Sequence, residues 1–413
     1  MTRPASPEIS GARLMDRIGA LGTIGALEGG GVCRLALTDA DRAGRDWFVS
    51  ELKALGLDVF CDAIGNLWGI RKGKTDGAPV MVGSHIDSVA TGGLYDGALG
   101  VLAGLEVISA LNERNVVTEK PVAVAAFTNE EGARFAPDMM GSGVYQGSLD
   151  LDEMLAVTAT DGSCVIGEEL DRIGYRGTDA PVTPAAYLEY HIEQGPVLEQ
   201  EGIRIGAVTG VQGIYWTEFV IEGESNHAGT TPMALRKDAG QVAMRIACEA
   251  DAIAAEYGPP QVATVGVMNL SPGLINVVPA RARLTVDLRN TDGEKLIAAM
   301  ERLVAFAETA AEGAGCTVTH RPMARFAPVV FDGAIVDKIE AAATKRQLSV
   351  KRMPSGAGHD AQMFAPDCPT AMIFIPSEKG LSHNINEHSD EADILAGAQV
   401  LLDLVCDLAG AQI

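Results

Sequence analysis

The sequence predicts an α/β protein. A large mixed sheet, mostly parallel and covered by helices on both faces, is interrupted by a smaller inserted domain of ferredoxin-like α+β type. Three observations carry this. Short apolar runs alternate with helical segments over most of the 413 residues, the pattern of a buried parallel sheet. The stretch 214–328 instead runs strand, helix, strand, strand, helix, strand, the ferredoxin-like order. The composition, 47% hydrophobic and 21% charged, is that of an ordinary globular protein, and a chain this long buries a large core without a disulfide or metal staple.

Each element has its own signal. Residues 38–56 read as a helix, with Thr38 as N-cap, Trp47, Leu52 and Leu55 on one face, and Gly56 ending it. Leu57–Phe60, Asn66–Ile70 and Pro79–Gly83 are short apolar runs that read as strands. Residues 97–112 form a buried helix, and Pro121–Phe127 a further buried strand. The stretch 136–185 has weak periodicity and predicts irregular chain with short helices. Within the insert, strands are expected at Tyr215–Ile221, Gln261–Met268, Ala282–Leu288 and Cys316–Arg321, and helices at Lys237–Tyr257 and Gly293–Glu312. The larger domain, 1–213 with 329–413, resumes with a helix near 333–346, a strand at Thr370–Ile375 and a last helix from about 391.

The formal charge of −23 repels phosphate backbones and anionic lipid, so neither nucleic acid nor a membrane surface is an expected partner. Seven cysteines without a C-x-x-C pair predict reduced, mostly buried thiols in a cytoplasmic protein. Arg3, Glu8, Arg13, Asp16 and Arg17 interrupt any apolar run at the N-terminus, so no signal peptide is expected. No stretch reaches the ~18 apolar residues of a membrane span.

The chemistry sits in clusters at the predicted strand ends, where α/β sheets bind ligands. Gly83-Ser84-His85-Ile86-Asp87-Ser88 places His85 to project a ring nitrogen, with Asp87 able to accept the other ring N–H and fix the tautomer. Alone, this reads rather as a capped strand end with a solvated His. Asp96, in Gly92-Gly93-Leu94-Tyr95-Asp96-Gly97, is either the N-cap of the following helix or a carboxylate bridging two metal ions. Glu130-Glu131 follows the strand 121–127; one carboxylate can bind metal while its neighbour acts as general base. His191 and His383 lie in Glu189-Tyr190-His191-Ile192-Glu193-Gln194 and Gly380-Leu381-Ser382-His383-Asn384. Together His85, Asp96, Glu131, His191 and His383 offer three imidazoles and two carboxylates. That is the donor set of a two-metal site suited to Zn²⁺, with Mn²⁺, Co²⁺ or Ni²⁺ as alternatives.

Four segments read as substrate contacts. Asn226-His227-Ala228-Gly229-Thr230 and Ile275-Asn276-Val277 lie in the insert. So does Arg289, at a strand end, where a guanidinium grips a carboxylate or forms a surface ion pair. Ser355-Gly356-Ala357-Gly358-His359-Asp360 opens a helix and offers backbone N–H groups to an anion.

In this order, GSHIDSV, GGLYDGALGVLAGLEV, FTNEEGARF, HIEQGPVLE, NHAGTTPM, INVVPARARLTVDLR, SGAGHDAQ and SHN resemble the hydantoinase/carbamoylase branch of the dinuclear metal amidohydrolases. The resemblance runs from about residue 10 to the C-terminus. It implies hydrolysis of the ureido C–N bond of an N-carbamoyl-L-amino acid, allantoate or N-carbamoyl-β-alanine. It also implies two divalent metals per subunit, and an inserted domain, 214–328, acting as lid and homodimerisation surface. The metal ligands would be His85, Asp96 (bridging), Glu131, His191 and His383, with Asp87 orienting His85 and Glu130 as general base. His227 would reach a neighbouring subunit's site to stabilise the oxyanion. Gln194, Asn276, Arg289 and Gly358 would bind substrate, Arg289 taking its carboxylate.

Two departures stand out. Asn384-Ile385-Asn386-Glu387-His388 lacks the proline that usually follows SHN, and Asn129 replaces a frequent acidic residue. Neither removes a ligand or the base; the first bears on the substrate. The alternatives are an N-acyl-L-amino acid hydrolase of the same metal chemistry and a metal-free binding protein, which should have lost a ligand. A thiol hydrolase is disfavoured because Cys33, Cys61 and Cys316 lack a nucleophile's context.

Overall fold

A computed structural model describes residues 6–411. The chain divides into two compact units, Met1–Thr209 with Val330–Ile413, and Gly210–Val329. In chain order the strands are β1 (Asp58–Cys61), β2 (Leu67–Arg71), β3 (Val80–His85), β4 (Val122–Phe127), β5 (Ala186–Ile192), β6 (Ile205–Val211), β7 (Gly213–Glu222), β8 (Val262–Ser271), β9 (Arg281–Asn290), β10 (Thr317–Phe326), β11 (Val329–Val330), β12 (Val350–Ser355) and β13 (Thr370–Ile375).

The large sheet is ordered β1-β2-β4-β3-β5-β13-β6-β11, with β12 paired to β6. Its centre is parallel: β3 pairs with β4 and β5, and β13 with β5. Antiparallel strands flank it, β2 on β4 at one side and β6 on β13 at the other, so the sheet is mixed. The parallel strands are buried along their whole length, as expected for strands covered on both faces. The helix Ala98–Glu113 is buried from Ala98 to Leu111. It lies close to the sheet because Gly100 has no side chain: a Cβ there would stand 2.5 Å from the Tyr190 carbonyl oxygen.

That helix also buries Glu106 completely. Its carboxylate accepts from the Ser10 backbone N–H, from Arg13 Nε and Nη2 (both 2.7 Å) and from Arg17 Nη1 (3.0 Å). The charge is thereby tied to the helix Gly11–Gly22, an element the sequence pattern did not announce.

The smaller unit has the order β10-β7-β9-β8, antiparallel throughout. Its helices, Ala239–Tyr257 and Gly293–Gly313, start at Asp238 and Asp292, whose side chains accept backbone N–H bonds. Along β9 burial alternates strictly: Ala282, Leu284, Val286 and Leu288 face the apolar core, while Arg283, Thr285, Asp287 and Arg289 face outward. The α/β class and the ferredoxin-like insert are those the sequence predicts. The stretch 136–185 carries only short helices, Met140–Tyr145, Leu151–Leu155 and Ile166–Ile173. All seven cysteines are free thiols; Cys316, Cys368 and Cys406 are buried and Cys248 is exposed. Among the described residues no helix is long and apolar enough to cross a membrane.

Candidate metal centre

The carboxyl ends of the central parallel strands bring the predicted ligands together. His85 is the last residue of β3, Glu130 and Glu131 follow β4, His191 is next to last in β5, and His383 lies beyond β13. Asp96 precedes the helix Ala98–Glu113. Gly97, not Asp96, is the N-cap, with a φ of 62°, so the Asp96 carboxylate is free to face the imidazoles.

Two donor groups result, His85–Asp96–His191 and Asp96–Glu131–His383, each with ligand atoms within 4.8 Å of one another. Asp96 belongs to both. Its Oδ1 lies 3.2 Å from His191 Nε2 and 3.8 Å from His85 Nε2, and its Oδ2 3.3 Å from His383 Nε2. Glu131 Oε2 is 3.2 Å from His383 Nε2, and Glu130 Oε2 3.3 Å from His85 Nε2.

The imidazoles are oriented by the backbone. His191 Nδ1 lies 2.8 Å from the Ile192 carbonyl, and Gly97 N–H donates to Nε2. Donation from Nδ1 orients the ring so that Nε2 faces Asp96 and the centre, the nitrogen through which a metal would be bound. His85 Nδ1 likewise meets the Asp87 carbonyl at 3.0 Å. Here the structure corrects the expectation for Asp87. Its carboxylate stands 3.8 Å from His85 Nδ1 and accepts instead from the backbone N–H of Glu130 (3.3 Å) and Glu131 (3.4 Å). The short turn lets the Asp87 carbonyl reach the ring first, and the side chain pins the loop that bears the two glutamates.

The electrostatics follow from this crowding. Burial, with Asp360 and Glu131 nearby, pushes Glu130 well above the usual carboxylate range. Burial also raises Asp87 to about 7. Hydrogen bonds that the ring donates to Asp96 and Glu131 push His383 up to about 10; burial lowers His191, but Asp96 outweighs it and the ring rises to about 9. Carboxylates that draw protons onto their imidazoles draw a divalent cation for the same reason, and the N/O donor set suits one.

A third donor group, Glu189–His191–His359, is fully buried. Glu189 already accepts from Ser84 Oγ and the Ala361 N–H, both at 2.7 Å, and His359 Nε2 meets Ser355 Oγ at 2.9 Å.

The predicted substrate residues are distributed over both units. Gln194, in the larger unit, has a φ of 58° and donates from Nε2 to Asp96 Oδ2 at 2.8 Å, while its Oε1 is buried without a hydrogen-bond partner. Gly358 precedes the helix Asp360–Phe364 and lies against Met139. In the smaller unit, Ala228 N–H donates to the Asn276 carbonyl, which sets the His227 and Asn276 loops side by side. His227 is exposed, and its Nδ1 accepts from Gly229 and Thr230 N–H, which leaves Nε2 as the N–H donor. Arg289 is paired with Asp287 two residues back on β9, Nη2 to Oδ2 at 2.9 Å.

Residues 81–407 match the Peptidase family M20/M25/M40. The chain is 41% identical over 406 residues to an N-carbamoyl-L-amino-acid amidohydrolase of Rhizobium meliloti, covering 97% of each. The chain belongs to this family, in its hydantoinase/carbamoylase branch. It is also 39% identical to the N-carbamoyl-L-amino acid amidohydrolase of Geobacillus stearothermophilus, over 97% of this chain and 99% of that one. A crystal structure of a hydantoinase/carbamoylase family amidase from Burkholderia multivorans superposes with a TM-score of 0.95 at 43% identity, covering 98% of this chain and 99% of that one.

Sequence reasoning missed the residues around Asp96. Ser382 Oγ lies 2.8 Å from Asp96 Oδ2 and 3.1 Å from Glu387 Oε2. Glu387 Oε1 accepts from the Tyr95 and Asp96 N–H groups. Both residues stand in or beside the segment that departs from the branch, which was the one available signal.

Proposed function

We propose that this protein is a metal-dependent amidohydrolase that cleaves the ureido C–N bond of an N-carbamoyl-L-amino acid or a related ureido acid such as allantoate or N-carbamoyl-β-alanine. The observation that carries the reading is the pair of donor groups joined through Asp96, with Glu130 beside them. The near-full-length similarity to carbamoylases supports the substrate class.

In this reading His85, Asp96 and His191 hold one divalent ion and Asp96, Glu131 and His383 a second, Zn²⁺ by preference, with Mn²⁺, Co²⁺ or Ni²⁺ as alternatives. Such ions, when bound, make water more acidic and polarise a carbonyl oxygen. Glu130 takes a proton from the attacking water as its oxygen bonds to the ureido carbon. It then delivers that proton to the leaving nitrogen as the C–N bond breaks. Carbamoyl substrates yield the amino acid, carbon dioxide and ammonia.

The proposal gives Met1–Thr209 with Val330–Ile413 the catalytic role and Gly210–Val329 that of lid and homodimerisation surface. His227 Nε2 would stabilise the oxyanion, Arg289 would take the substrate carboxylate after leaving Asp287, and Asn276, Gln194 and the Gly358 backbone would complete the pocket. A small-molecule substrate and a cytoplasmic setting fit the acidic chain.

The test is Glu130→Gln. Turnover should fall by at least ~10²-fold, with metal content unchanged. Unaltered turnover would remove Glu130 as the base.

A further inference from the structure

The ligand His383 rides on a loop where Lys379, Gly380 and His383 all have positive φ, 56°, 64° and 53°. Its side chain is half exposed. Such backbone persists only where its surroundings hold it. The chain after His383 supplies that hold: Glu387 N–H donates to the Asn384 carbonyl at 3.0 Å, closing a turn that folds Glu387 back into the protein.

The buried Glu387 carboxylate then reaches the other side of the centre. Oε1 accepts from the backbone of Tyr95 (3.0 Å) and Asp96 (3.1 Å), while Oε2 faces Ser382 Oγ. Ser382 Oγ has one hydrogen for two carboxylates, Asp96 and Glu387, and accepts from Gln194 Nε2 at 3.2 Å. The fit is close: a Cβ on Gly93 would come within 2.1 Å of Glu387 Oε1 and 2.4 Å of its Cβ. A glycine at position 93 is therefore what admits Glu387 to this place.

We propose that Glu387, acting with Ser382, is a positioning residue that fixes Asp96 relative to His383 and so sets the metal affinity of the donor group Asp96–Glu131–His383. Glu387 acts through Asp96 and the His383 loop. It ties the turn bearing Asp96 to the loop bearing His383, two segments almost three hundred residues apart in sequence. The group His85–Asp96–His191 shares Asp96 but not the His383 loop, and its imidazoles are oriented by backbone carbonyls, so it depends on this tie less. The assignment rests on the metal-centre reading above.

The test is a chelator-competed Zn²⁺ titration of metal-stripped full-length protein, read as equivalents bound and their affinities. Wild type takes two equivalents. In Glu387→Ala the first stays near wild type, and the second weakens by roughly 10–100-fold, the usual cost of removing an outer partner of a metal ligand. Glu387→Gln keeps an acceptor for the Tyr95 and Asp96 N–H groups and recovers most of the loss, and Ser382→Ala falls between. If Glu387→Ala does not fold, Gly93→Ala, which displaces the carboxylate without removing it, shows the same selective weakening. Two wild-type affinities in folded Glu387→Ala overturn the assignment alone. So does equal weakening of both sites with a lowered melting temperature that Glu387→Gln does not rescue. A wild-type chain that takes up no Zn²⁺ overturns the metal-centre reading and this assignment with it.

Discussion

Gly97→Ala is the sharpest mutational probe of the centre. A Cβ on Gly97 would lie 2.2 Å from His85 Nε2, 2.3 Å from Cδ2 and 2.4 Å from Cε1. Ordinary contact needs about 3.5 Å, so the ring must retreat by roughly 1.3 Å. Metal–ligand distances tolerate only about 0.2 Å, and His85 is thereby lost to the site. The residue also sits at φ 62° and ψ −50°, a region that costs a side chain about 1–3 kcal/mol. The expected result is a folded protein with a modestly lower melting temperature and metal affinity at the His85–Asp96–His191 group down by at least roughly 10–100-fold. Metal per chain after gel filtration, thermal melting and kcat are measured on the same preparation. Full metal content at wild-type affinity, with wild-type kcat, would refute the placement of His85 as a ligand.

Three further outcomes follow from the same geometry. Glu106→Ala removes the buried acceptor of Arg13, Arg17 and the Ser10 N–H, while Arg13 keeps Glu113 and Arg17 keeps Glu51, and should cost about 1–3 kcal/mol in denaturant unfolding; a loss below about 0.5 kcal/mol would show that the network contributes little. Because His383 and His191 hold protons up to about 10 and about 9, binding a cation must displace them. Metal affinity should therefore rise with pH from 6 to 9, by up to about tenfold per unit for each proton released; a flat or falling profile contradicts the donor assignment. Arg289→Ala should raise KM for carboxylate substrates by roughly ten- to a hundredfold, the worth of a charged hydrogen bond, with kcat little changed. An unchanged KM removes Arg289 from the pocket.

The legible part of the fold was its apolar grammar. The runs around β3, β4 and β13 are short, buried and bounded by turn residues, and β9 alternates cleanly. β5 was not legible as a strand. Glu189 and His191 sit inside its otherwise apolar run Ala-Tyr-Leu-Glu-Tyr-His-Ile, and their burial depends on partners from Ser84, Ala361, Gly97 and Ile192 that no local pattern reveals. The flank of β6, β11 and β12 was hidden for a similar reason, since its pairing is long-range.

At the centre, strand ends pointed to His85 and Glu131, residue types and the family resemblance to Asp96, His191 and His383, and the fold collects all five in two groups. How each is held was not legible. Whether the Asp87 carboxylate or its carbonyl meets His85 turns on less than an ångström in one turn. The departure from the branch marked the segment of Glu387, but its partners were hidden, because the contact that defines its place is the missing side chain of Gly93.

The most direct test of the account is a substrate panel on Zn²⁺- and Mn²⁺-loaded protein, containing N-carbamoyl-L- and D-amino acids, N-carbamoyl-β-alanine, allantoate and N-acyl-L-amino acids, with freed amine and ammonia read together. The account predicts turnover of a ureido substrate with ammonia released alongside the amine and abolished by chelation. Turnover of N-acyl compounds alone, or ureido turnover indifferent to metal removal, would contradict it.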